Sequence, residues 1–134
     1  MPRLFSVLSF VILFCACTKD NSPRSTFQGT LPITLTNSPS SVTAGENIIS
    51  SVRCELTSIS GSVYFKGFEI KEVASHHYDI SAKALYENWN TQLTLPVMWT
   101  KDTSITIQTT TAGTYFLNFY NANQLFKSDT IEVN

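Results

Sequence analysis

Cysteine is scarce in this sequence and unevenly placed. Three occur in 134 residues; Cys15 and Cys17 sit near the N-terminus and Cys54 stands alone in the remainder. A multi-bridge disulfide framework of the kind that staples small secreted domains is therefore excluded. Histidine is scarcer still, limited to the adjacent pair His76 and His77. Neighbouring residues on a strand point to opposite faces, so a strand cannot offer both rings to one metal ion. A turn could, with Glu72 and Asp79 as the nearest carboxylates. The pair reads as exposed loop histidines, and no metal is expected. Serine is abundant, but no Gly-x-Ser-x-Gly elbow occurs. Cys54 has apolar same-face neighbours and reads as an inert packed thiol. The ten acidic residues are scattered, and no carboxylate pair stands out. The expectation is a non-enzyme with no catalytic residue and no cofactor.

Charge is also sparse. Charged residues make up 14% of the chain, against a usual quarter, and nine basic residues nearly balance ten acidic ones. No basic stripe or charged tail is present, which argues against a nucleic-acid partner. A long apolar run is missing too. Leu4 to Phe14 is apolar except for two serines and follows Met1-Pro2-Arg3. A membrane-spanning helix needs about 20 apolar residues. A positive charge before a shorter apolar run is instead the layout of a secretory signal.

The end of that run, Leu13-Phe14-Cys15-Ala16-Cys17, resembles a lipoprotein box. In that family a small residue precedes a cysteine that is acylated and becomes the new N-terminus. Ala16 before Cys17 fits, whereas Cys15 would follow the bulky Phe14. Leucine usually stands three residues before the cysteine, and here Leu13 stands four before it. Lipoproteins of the Bacteroidota resemble this looser pattern, and they often continue as Cys17-Thr18-Lys19-Asp20 does. The resemblance implies lipidation at Cys17 and attachment to the outer membrane, facing either the periplasm or the surface. Two or more acyl chains give stable anchoring where one is marginal. The expected organisation is a signal peptide over 1–16, a lipidated cysteine and flexible tether over 17–30, and a domain over 31–134. Removing the signal leaves about 118 residues, enough for a core without staples. Lipidation also takes the only thiol that could have paired with Cys54. The tether is rich in Ser, Thr, Asn, Pro and Gly, with Phe27 its one strong apolar residue.

From Leu31 onward the hydrophobic pattern has period two, the signature of strands. Leu31 to Thr36 is the first candidate. Ile48, Val52, Cys54 and Leu56 share one face, with Arg53 and Glu55 on the other. Val63 to Val73 changes phase near Gly67, which predicts a β-bulge. Tyr78, Ile80, Ala82 and Ala84 alternate, although 81–89 also suits a short helix. Leu93, Leu95 and Val97 follow, then Ile105 and Ile107, then Tyr115, Leu117 and Phe119. Asn121-Ala122-Asn123 reads as a hairpin turn before a last strand with Ile131 and Val133 inward.

Seven to eight short strands with regular turns predict an all-β, antiparallel β-sandwich. Val42-Thr-Ala-Gly45-Glu46 and the ending Gly113 to Val133 resemble the A–B turn and last hairpin of an immunoglobulin-like domain. That resemblance implies that Cys54 and Leu117 are core neighbours across two sheets. It also places the strand bearing Tyr64 and Lys66 beside the strand bearing Phe116, Asn118 and Tyr120. Outward Phe116 and Tyr120 would lie about 13 Å apart. Together these five residues would form an aromatic, amide-bearing face suited to a glycan or a protein. Alternatively a loop, an extra strand or Phe27 covers it. Trp89 and Trp99 read as core-edge packing. Asp129-Thr130-Ile131 resembles the short O-glycosylation acceptor of Bacteroidota, which implies modification at Thr130. The sequence thus points to a binding or interaction module at the cell envelope, or to an accessory subunit of an envelope complex without a small ligand.

Overall fold

The computed structural model describes residues 24–57, 61–89 and 98–134. The expected signal peptide, Cys17 and the Leu93–Val97 alternation lie outside these residues. Nine strands are present among the described residues: β1 (Arg24–Leu31), β2 (Ile33–Asn37), β3 (Ser41–Val42), β4 (Asn47–Leu56), β5 (Gly61–Ala74), β6 (His77–Trp89), β7 (Trp99–Gln108), β8 (Gly113–Asn121) and β9 (Gln124–Val133). They form two packed sheets, the β-sandwich that the alternation predicted. Its core is built from the alternating positions themselves. Ile48, Val52, Cys54, Ile105 and Ile107 come from one sheet; Ile80, Ala82, Tyr115, Leu117, Phe119, Ile131 and Val133 come from the other. The segment 81–89 is strand throughout, which removes the helical alternative.

The smaller sheet has the order β2-β4-β7. In the larger sheet β9 pairs with β3 on one side and β8 on the other, and β8 pairs in turn with β6. One edge of β6 is divided: His77–Ser81 pairs with β8, and Ala82–Trp89 pairs with β1. Its other edge carries β5. The ladder of β5 shifts register between Phe65 and Gly67, so the expected bulge is present, with Gly67 at φ 104°. Glycine tolerates that backbone where other residues are strained.

Two core features and one strand pairing bear on the immunoglobulin-like expectation, and the pairing departs from it. Tyr115 donates its hydroxyl to the Thr111 carbonyl at 3.1 Å. This is the tyrosine-corner bond typical at the start of strand F in such sandwiches. Cys54 and Leu117 are both fully buried in the one core, contributed by opposite sheets. The departure is the strand beside β8. It is β6, running parallel, and β5 lies one strand farther out. A β5–β6 hairpin set down with its second strand inward gives this arrangement.

The flexible tether is also corrected. Its second half, Arg24–Thr30, belongs to β1 and pairs antiparallel with β6 from Trp89 to Lys83. Phe27 stacks on Tyr86 at 4.9 Å, and Tyr86 donates its hydroxyl to the Thr30 carbonyl at 2.7 Å. Main-chain pairing and one aromatic stack thus fix a segment whose own side chains are mostly polar.

Candidate binding site

Each residue of the expected binding face lies on the larger sheet. Phe116, Asn118 and Tyr120 do share the outer face of β8. They meet β6 rather than β5: Phe116 lies opposite His77, Asn118 opposite Asp79 and Tyr120 opposite Ser81. Phe116 is half-buried, and the His77 ring stacks on it at 4.4 Å. Asn118 donates to Asp79 at 3.1 Å and accepts from Ser128 at 2.7 Å. Tyr64 is exposed on β5 and donates to Glu87 at 3.3 Å. It pairs with Leu85, eight positions along β6 from His77. At strand rise that sets Tyr64 and Phe116 about 26 Å apart, so the expected five-residue face is divided. Phe27 does not cover it, because it stacks with Tyr86, whose side chain is packed against the core.

The two histidines take opposite faces, as adjacent strand residues do, but neither is a free loop residue. His76 is at φ 62° in the β5–β6 turn and stacks on Tyr115 at 4.1 Å. Its Nε2 lies 2.9 Å from the Thr111 hydroxyl. Among the described residues, no group of three His, Cys, Asp or Glu side chains is placed to hold a metal ion. Burial pushes the Cys54 thiol up to about 11, which keeps it protonated and unreactive at neutral pH. Trp99 is half-buried against the core. Thr130 is exposed on β9, while Asp129 of the same tripeptide is almost covered and accepts from Ser38 at 2.6 Å.

What the structure adds is a concavity of about 510 Å³ on this outer face. It sits where the neighbour of β6 changes from β8 to β1. Tyr120 and Asn123 line it from the β8–β9 hairpin, Thr30 from β1, Asp79 and Lys83 from β6, and Glu69 and Lys71 from β5. Glu69 bridges two lysines, 2.9 Å from Lys71 Nζ and 2.6 Å from Lys83 Nζ. Hydrogen bonds from Lys83 and then Lys71 hold its carboxyl down to about 2. A second hollow adjoins it, sharing Thr30, Glu69 and Lys83 and adding Gln28 and Lys66. Tyr120 and Lys66, two of the five expected residues, therefore line neighbouring hollows.

Sequence reading passed over Glu69, Lys71 and Lys83, and met Asp79 only as a neighbour of the histidine pair, because each is an unremarkable surface charge by itself. The signal that unites them is the β5–β6 hairpin. With Ser75-His76 as its turn, Lys71 falls opposite Asp79 and Glu69 opposite Ser81. Lys83 then sits diagonally from Glu69, within reach of a long side chain.

Fold and site together define a two-sheet β-sandwich whose broader sheet carries a mixed-charge hollow with an aromatic lining residue. No family model matches this chain, and no curated protein or solved structure is significantly similar to it.

Proposed function

We propose that the chain is a lipid-anchored binding module of the cell envelope, held to the outer membrane through Cys17 and presenting the larger sheet to a glycan. The observation that carries this reading is the concavity beside Tyr120. A sheet face usually offers a flat surface, and here a change of strand partner opens a hollow of ligand size. Its lining combines one aromatic ring with carboxylate, amide, hydroxyl and ammonium groups, the mixture that sugars engage. Cys17 lies seven residues before Arg24, so the anchor is within about 25 Å of the sandwich.

Two measurements test the proposal. Cys17→Ser should leave unprocessed precursor and remove labelling by a fatty-acid analogue; labelling that persists sinks the anchor. On a carbohydrate array Tyr120→Ala should lose retention while Phe116→Ala keeps it, since His77 already occupies the Phe116 ring. A second reading, an accessory subunit docking against an envelope protein, draws on Leu35 and Ile49. Both are exposed on the smaller sheet, at 54% and 58%. Co-purification with a larger complex and a silent array would favour it. Modification of Thr130 belongs to the same proposal and would add a glycan mass to the intact protein.

A further inference from the structure

We infer that the concavity takes an uncharged, polyhydroxylated ring, such as a neutral hexose unit of a polysaccharide; this rests on the glycan reading and narrows it. The charges lining the hollow are two lysines, Lys71 and Lys83, and two carboxylates, Glu69 and Asp79, so they cancel. They are also engaged with one another. Both lysines contact Glu69, and Asp79 accepts from Asn118. An acidic ligand would meet two ammonium groups whose charge Glu69 and Asp79 already offset. A cationic ligand would meet repulsion from the two lysines that already flank Glu69.

A hydroxyl group displaces nothing. An ammonium group has three N–H donors and a carboxylate about four lone-pair sites. After the ion pairs form, each lysine still has N–H groups to donate and Glu69 still has lone pairs to accept. Donors and acceptors are therefore interleaved in one small area, and a hydroxyl can serve either. Asn123 and Thr30 extend the same mixed array across the hollow, and Tyr120 supplies an apolar surface for the C–H face of a ring.

The test uses the full lipidated chain in a detergent without a sugar headgroup. Its probes are oligosaccharides of glucose, mannose and galactose, set against oligosaccharides of galacturonic and mannuronic acid. The wild type should retain neutral probes, with affinity changing by less than about twofold between about 0.05 and about 0.5 M salt. Tyr120→Ala should lose at least about tenfold. Glu69→Gln should gain retention of the uronic acids, because it leaves both lysines without their shared partner. Wild-type binding of uronic acids that collapses with salt overturns the inference while leaving the glycan reading intact. Retention of neither class overturns the glycan reading itself.

Discussion

Strands β8 and β5 belong to one sheet and behave differently. β8 alternates cleanly, with Tyr115, Leu117 and Phe119 buried and their neighbours half-exposed. β5 is the longest strand, yet none of its residues is buried. Both carry period-two apolar residues, so pattern alone does not separate them. What separates them is cover. β8 contributes fully buried residues to the core between the sheets, whereas β5 is an edge strand that pairs only with β6 among the described residues and packs Val63, Phe65 and Phe68, only partly buried, against the core. Alternation becomes stability only where a second layer removes the apolar face from water. Where cover is thinner, β5 is free to carry Glu69 and Lys71 into the hollow.

The largest test of this comparison is a pair of truncations. Phe119→Ala empties a fully covered site and should cost about 3–5 kcal/mol in denaturant unfolding. Ile70→Ala on β5, where the side chain is 40% exposed, should cost less than about 1 kcal/mol. Equal costs would mean that β5 has a cover beyond the described residues, and the contrast between the strands would fail.

A smaller effect separates two glycines of these strands. Gly113 starts β8 at φ 144°, and a Cβ there would lie 3.2 Å from His76 Nδ1. Gly67 forms the β5 bulge at φ 104° with open space around it. Each alanine substitution brings backbone strain of order 1–3 kcal/mol. Only Gly113→Ala must also push the His76 ring, which stacks on Tyr115, back by a few tenths of an ångström. Its urea midpoint should fall further than that of Gly67→Ala, and the His76 ring resonances should shift in its NMR spectrum alone.

The same comparison explains what could be read in the sequence. The core strands, the Gly67 bulge and the turn at Asn121–Asn123 all follow from local patterns. β1 did not, because Thr26, Gln28 and Thr30 resemble a tether and their order comes from main-chain bonds to a strand more than 50 residues away. The parallel β6–β8 pairing was hidden for a related reason. Both strands show the right alternation, but nothing in either specifies its neighbour. Tyr120 was legible as outward-facing; the hollow beside it was not, because it arises where two non-local partners of β6 meet.

The smallest effect contrasts two ion pairs, one at the sandwich edge and one on the open face of the smaller sheet. At the edge Asp129 has only 10% of its side chain exposed and lies 2.8 Å from Lys127 Nζ. It also accepts across the sandwich from Ser38 and Thr36, and Ser38 in turn lies 2.7 Å from Ser50. Burial pushes its carboxyl up, but Lys127, Ser38 and Thr36 together outweigh that and hold it below the usual range. A lowered folded-state value means that the charged form stabilises the fold. That stabilisation is complete above the unfolded value near 3.9 and is lost as pH falls through the lower folded value. Asp129→Asn should therefore cost about 1–2 kcal/mol at neutral pH, and the gap to wild type should close in acid. Asp102 makes an equally short pair, 2.6 Å from Arg53 Nε, but with 66% of its side chain in solvent. Asp102→Asn should leave the unfolding midpoint unchanged in moderate salt, since water already screens that pair. If both variants respond alike across the pH series, then burial at the sandwich edge is not what gives Asp129 its weight.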